Sequence, residues 1–248
     1  MNSRQLVQMD TNDINGIAQR LLEIRESLPD NVTLVAVSKT HPVEFIQAAY
    51  DAGQRVFGEN KVQEMAAKHE VLPKDIEWHF IGHVQRNKIR QMASFVSTIQ
   101  GIDSFAALEE TNRQAERFGR TITCLLQIHI ATEESKFGFF PQECSDMLAE
   151  GNWRTLSHVR IGGVMGMASN TDNGQQVLTE FRRLAAFFNS TKERFFSESN
   201  DFRTISAGMS GDYRTAIQAG SNMVRIGTGI FGIRDYTIQQ TLSDNTSI

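Results

Sequence analysis

The chain has 248 residues, 40% of them hydrophobic and 22% charged, with a formal net charge of −4 and a pI near 5.9. That apolar content suffices for one large α/β barrel or two small domains. The acidic balance, with no basic run longer than a few residues, argues against a surface that grips nucleic-acid phosphates. Two cysteines, Cys124 and Cys144, have neither metal-ligand spacing nor the density of a disulfide scaffold, which points to a reducing cytoplasm. The N-terminus is polar and reads as no signal peptide, and no run of apolar residues is long enough to span a membrane.

Residues 12–26 carry Ile14, Ile17, Leu21, Leu22 and Ile24 at helical spacing. The first strand, 32–38, is a nearly continuous apolar run ending at Lys39, and His41-Pro42 blocks its continuation. A helix over 42–52 is closed by Gly53. A strand at 55–58 leads into a helical segment starting at Glu59-Asn60 and running to about His69. Further strands are expected at 77–82, 95–99, 122–130, 159–167, 202–205 and 223–226. Between them lie helices at 86–92, at 104–118 with Ser104 as cap, at 141–149 opened by Pro141, at 174–189 and at 212–220. The tail after Gly232 is polar and reads as dispensable.

Eight strands alternating with helices through short loops specify a single (β/α)8 TIM-like barrel with an extra N-terminal helix. An open, doubly wound sheet is the alternative. No repeat or linker divides the chain, so one domain is expected, with its core over about 12–233.

Lys39 sits where ligands bind in α/β folds, at the C-terminal end of a buried strand. An ammonium there is either snorkelling to water or chemically employed. The loops after strands seven and eight, Ser206-Ala-Gly-Met-Ser-Gly-Asp212 and Arg225-Ile-Gly-Thr-Gly229, are built from Gly and Ser/Thr. They are either ordinary glycine turns or a cradle whose N–H groups and hydroxyls converge on an anion, and two of them at the two expected positions favour the cradle. Arg225 on the last strand faces a carboxylate or, alternatively, a ring nitrogen of a bound cofactor.

Other signals are weaker. Gly227-Thr-Gly-Ile-Phe-Gly232 matches G-x-G-x-x-G, but too little chain follows for a dinucleotide fold. His79 and His83 are four apart, without the helical face or third ligand of a zinc site, and read as core or loop histidines. Lys136 lies beyond the fifth strand beside Glu133 and Glu134 and reads as ion-paired surface. Arg86, Lys88 and Arg90 read as a solvated basic patch.

Several ordered motifs then carry a resemblance. They are Val35-Ala-Val-Ser-Lys39, Phe57-Gly-Glu-Asn60 with Gln63-Glu64, Trp78-His-Phe-Ile-Gly-His83 with Gln85-Arg-Asn-Lys88, Glu134-Ser-Lys-Phe-Gly138, Gly163-Val-Met-Gly-Met167, Met209-Ser-Gly-Asp212 and Val224-Arg-Ile-Gly-Thr228 with Phe231-Gly232. Together, over about residues 12–233, they resemble the YggS/PROSC family, the pyridoxal phosphate homeostasis proteins. The resemblance implies a barrel like the N-terminal domain of alanine racemase that binds pyridoxal 5′-phosphate (PLP) as a Schiff base on Lys39. It also implies phosphate contacts from Ser206, Ser210, Gly227 and Thr228, Arg225 facing the pyridine nitrogen, and Asn60 near the cofactor. Many relatives have Ser-Met-Gly-Met-Ser where this chain has Ser206-Ala-Gly-Met-Ser210.

A protonated guanidinium can only donate to the ring nitrogen, which weakens the ring as an electron sink. Racemisation needs an acid/base group on each face. Lys39 could supply one, but none of Tyr50, Tyr213 and Tyr236 stands at the end of an expected strand. The expected function is therefore PLP homeostasis without efficient catalysis, the alternative being an amino-acid racemase. Expected partners are PLP and PLP-requiring apo-enzymes as recipients, with no nucleic acid and no membrane, and the expected state is a monomer.

Overall fold

The computed structural model describes residues 14–133 and 136–233. Eight parallel strands close into one barrel in sequence order. They are β1 (Thr33–Val37), β2 (Val56–Glu59), β3 (Glu77–Phe80), β4 (Thr98–Ile102), β5 (Ile122–Gln127), β6 (Val159–Met165), β7 (Thr204–Ser206) and β8 (Met223–Ile226). Helices connect or follow them: α1 (Ile17–Glu26), α2 (Val43–Asp51), α3 (Val62–Val71), α4 (Phe105–Arg117), α5 (Pro141–Glu150), α6 (Gly174–Phe195), α7 (Tyr213–Gln218) and α8 (Thr228–Phe231). A 3₁₀ segment, Arg86–Gln91, takes the place of a helix between β3 and β4. The barrel, the single chain of alternating elements and the additional helix before β1 are as the sequence pattern specifies.

Local chemistry sets the boundaries. The Ser104 hydroxyl accepts from the Ala107 amide at 3.2 Å and starts α4, and the Asn173 side chain accepts from the Gln176 amide at 3.2 Å and starts α6. Pro141 opens α5, and Gly151 closes it at φ +79°. The closing contact of the barrel is β1 against β8, where Val35 lies opposite Arg225 and Ala36 opposite Ile226.

Several boundaries differ from the sequence reading. Glu59 ends β2 rather than opening a helix, because its buried carboxylate is hydrogen-bonded to Ser38 and Lys68. α3 starts only at Val62. β4 begins at Thr98 rather than Phe95, since the Phe95 and Val96 amides still turn back onto Met92. α6 runs on to Phe195, where Phe188 stacks on Phe202 and Phe202 on Phe196, so the end of this helix is fixed by aromatic packing. Residues 228–231, read as a glycine turn, form α8.

Strand alternation divides the barrel into two environments. Leu34, Ala36, Phe57, Trp78, Phe80, Val164 and Val224 pack with the helices in the outer core. Val35 and Val37 are buried without joining that core, and with His79, Gln100 and Arg225 they belong to the inside of the barrel. The interior is therefore polar on the side of β3, β4, β7 and β8.

Gly163 is held at φ +146° in the ladder to β7. A Cβ there would lie 1.9 Å from the Thr204 carbonyl oxygen. Gly163→Ala is expected to destabilise the fold by about 3 kcal/mol or more, through backbone strain and overpacking together. Urea denaturation of the variant beside the parent protein measures it.

Candidate functional site at the barrel mouth

Lys39 follows Val37 by two residues and is half-buried in the turn that ends β1. Thr40, the next residue, is the one non-glycine residue with positive φ among the described residues, at +70°. Strain of this kind persists only where surrounding contacts enforce it. The neighbouring strand end comes close: a Cβ on Gly227 would lie 3.1 Å from the Val37 carbonyl oxygen, so β8 and its loop pack directly against β1. Lys39, Gly227 and Arg225 are thus gathered on two adjoining strands.

Arg225 is 4% exposed. Its Nη1 donates to Ser206 Oγ at 2.6 Å and its Nη2 to the Gly166 carbonyl at 3.1 Å. It forms no ion pair with a carboxylate among the described residues. Burial pulls its pKa down to about 10, with Asp212 opposing the shift, so it remains a cation at neutral pH. Ser206 Oγ in turn donates to Gln100 Oε1 at 2.7 Å, and Gln100 Nε2 donates to His79 Nδ1 at 2.9 Å. A buried polar chain therefore crosses the barrel from β8 through β7 and β4 to β3. Burial pushes His79 down to about 4, which leaves the ring neutral and Nδ1 free to accept.

This chain separates the two serines. Ser206 is fully buried and bonded to Arg225 and Gln100, whereas Ser210 is on the exposed rim. There Ser210 Oγ accepts from the Gly229 amide at 3.4 Å, joining the loop after β7 to the start of α8. Thr228 and Gly229 are exposed beside it, and Gly227 is the residue preceding the helix. The Asp212 carboxylate accepts from the Met209 amide at 2.6 Å, which folds the β7 loop under that rim.

Asn60 lies across the mouth, after β2. Its Oδ1 is buried and has no partner among the described residues. It lines a cavity of about 390 Å³ with Lys61, Gly82, His83, Lys88 and Phe137. His83 is paired with Asp103 at 2.9 Å and stacked on Phe137. Among the described residues no group of His, Cys, Asp and Glu could hold a metal ion. Lys136, the rival lysine, is 3.5 Å from Glu133 and donates to the Ala168 carbonyl. Glu134 and Ser135 of the same motif, Tyr236 and the polar tail lie outside the described residues.

Sequence reasoning did not single out Gln100, the Ser206–Gln100–His79 connection, or the buried Glu59–Lys68 pair. An i,i+4 Glu64–Lys68 spacing was the visible signal for the last.

Residues 13–235 match the family model described as alanine racemase, N-terminal domain. A pyridoxal phosphate homeostasis protein from Pasteurella multocida is 37% identical over 234 residues, covering 89% of this chain and 99% of the relative. This chain belongs to the pyridoxal phosphate homeostasis protein family. Its relative from Vibrio alginolyticus is 42% identical over 214 residues, covering 84% of this chain and 89% of its own length. Family members are also similar in structure: PipY of Synechococcus elongatus, solved with PLP bound, superposes with a TM-score of 0.79 at 34% identity, over 87% of this chain and all of PipY.

The neutral His79 makes a pH test possible. The unfolded chain takes up a proton near the ordinary value of 6.5, the folded chain only near 4. This contribution is intact above pH 6.5 and is lost as pH falls toward 4, by about 2 kcal/mol at pH 5. Glu59, raised to about 7 by burial, runs the other way, losing stability as pH rises from 4.5 through 7. His79→Gln is expected to remove the acid-side loss, seen as a smaller drop in unfolding free energy between pH 7 and pH 5 than in the parent protein.

Proposed function

We propose that this chain binds PLP at the barrel mouth and serves PLP homeostasis by holding the cofactor on Lys39, rather than turning over a substrate. The observation that carries the reading is the joining of three unlike groups by β1 and β8: an amine at the end of one strand, a buried cation bonded to a hydroxyl and a carbonyl on the other, and an amide- and hydroxyl-lined rim beyond it. PLP supplies an aldehyde that condenses with a lysine amine, releasing one water. Family membership and PipY with PLP bound support the same cofactor.

The residues fit such a group. Arg225 uses two of its five N–H donors on Ser206 and Gly166, leaving capacity for a ring nitrogen. A buried cation with neutral partners is costly, and an acceptor brought by a ligand offsets that cost. The unpartnered Asn60 Oδ1 is a second buried polar atom that a ligand would satisfy. Ser210, Thr228 and the amides at the start of α8 hold the phosphate, while Ser206 acts one step back by orienting Arg225.

Arg225 can donate but not accept, so it keeps the nitrogen it faces unprotonated. Racemisation further requires a proton-transfer group on each face of the ring. The Tyr50 hydroxyl donates to Asp75 at 2.7 Å and that of Tyr213 is paired with Ser27 at 3.1 Å. These engagements support the holding role over the racemase alternative. Delivery to PLP-requiring apo-enzymes, action as a monomer and a cytoplasmic setting complete the proposal.

Protein loaded with PLP is expected to be yellow and, after borohydride reduction, to carry the added mass on the peptide containing Lys39. Lys39→Ala should lose both signals, and a trapped adduct on another lysine would overturn the assignment. Replacing Ser210 and Thr228 together by Ala is expected to weaken PLP binding about tenfold or more, as loss of charge-assisted hydrogen bonds requires. Pyridoxal, which lacks the phosphate, should bind both forms alike in a fluorescence titration.

A further inference from the structure

Behind the Lys39 turn lies a charged cluster that the cofactor reading does not use. Lys68, on α3, is 5% exposed. Its ammonium donates to Glu59 Oε1 at 2.7 Å, to Glu64 Oε1 at 2.7 Å and to the Ser38 carbonyl at 2.9 Å. Three donors meet three acceptors, which is the full capacity of the group. Glu59 Oε1 also accepts from the Ser38 hydroxyl at 2.6 Å, and Glu64 Oε1 accepts from the Thr40 amide at 2.6 Å. The residues immediately before and after Lys39 are therefore both tied to the same cluster.

We propose that Glu59, Glu64 and Lys68 are positioning residues for Lys39, clamping the Ser38–Thr40 turn so that the amine is presented to the barrel mouth in a preset orientation. The inference rests on the PLP reading for its functional consequence but on geometry for the clamp itself. Three observations carry it. Thr40 has φ +70°, a conformation that a β-branched residue adopts only under constraint, and the constraint is in place at its amide. The Thr40 hydroxyl is buried without a partner among the described residues, so the turn is not held by its own side chain. Further, the cluster is buried and charged, an arrangement that adds little to stability over an apolar core but fixes a geometry when every donor is used.

The charge balance supports the same role. One cation facing two carboxylates leaves an excess negative charge, and burial raises Glu59 to about 7, against the opposing pull of Lys68. Glu59 Oε2 has no partner among the described residues, which leaves a place for that proton. With Glu59 protonated, the cluster holds Ser38 and Thr40 at no net charge.

Glu64 gives the cleanest test, since its side chain is 19% exposed on the first turn of a helix and can be changed without opening the core. Glu64→Ala removes the acceptor of the Thr40 amide; Glu64→Gln keeps a carbonyl oxygen that can accept it. Glu64→Ala is expected to slow formation of the borohydride-trappable PLP adduct about tenfold, the equivalent of one hydrogen bond, and Glu64→Gln to restore most of the rate. Affinity for pyridoxine 5′-phosphate, which has an alcohol in place of the aldehyde, should stay within about twofold in all three proteins, since its phosphate and ring contacts do not involve the turn. In parallel, hydrogen exchange at the Thr40 amide should quicken in Glu64→Ala and recover in Glu64→Gln, with or without ligand. Where removal of the Lys68 charge alone is too disruptive to fold, the neutral pair Glu59→Gln with Lys68→Met should show the same slowed adduct formation and faster exchange. Unchanged exchange at Thr40 in Glu64→Ala, or an equal loss of pyridoxine 5′-phosphate affinity, would overturn the clamp. Failure of the parent protein to form any adduct on Lys39 would instead overturn the PLP reading, and Thr40 exchange would still decide the inference.

Discussion

A guanidinium sealed inside a barrel, with a hydroxyl and a carbonyl for partners and no paired carboxylate among the described residues, is the constraint on which the mouth of this protein depends. Arg225 cannot shed its charge at neutral pH, and its polar neighbours are arranged around it accordingly. Ser206 accepts from it, Gln100 accepts from Ser206, and a neutral His79 accepts from Gln100. Each link fixes the donor direction of the next, so four strands are coupled by hydrogen-bond polarity as well as by packing. A typical parallel barrel fills its interior with branched apolar side chains; here a polar diagonal takes the place of part of that packing.

The opposite wall works by a different principle. On the β1–β2–α3 side it is the ammonium that is saturated: Lys68 uses all three donors, and Glu59 and Glu64 each bridge it to the turn. The Arg225 side retains hydrogen-bonding capacity, while the Lys68 side has little. The first suits a surface that receives a ligand, the second a scaffold that holds the Ser38–Thr40 turn in place.

Much of this was legible in the sequence because it depends on period and punctuation. Alternation of short apolar runs with amphipathic segments specified the closed barrel, and Ser104, Pro141 and Gly53 marked helix ends by chemistry local to a few residues. Lys39, Arg225 and the two Gly/Ser/Thr loops were found because the C-terminal ends of barrel strands are where such residues gather. What escaped reading was set by tertiary contact. Glu59 looks like a helix start until its carboxylate is seen to be buried against Ser38 and Lys68, and the end of α6 is decided by aromatic stacking with Phe202 rather than by any breaker. Ser206 and Ser210 look equivalent in a loop of seven residues. Only the direction of the β7 backbone sends one into the barrel and leaves the other on the rim. Gln100 carried no signal at all, since a lone glutamine in a strand has meaning only through what lies across from it.

The pairing of β1 with β8 closes the ring and brings Lys39 beside the loop that follows Arg225. In sequence the two strands stand far apart, at Thr33–Val37 and Met223–Ile226, with the other six strands between them. Any ligand that contacts both β1 and β8 ties the two ends of the ring together and draws the population toward the closed form.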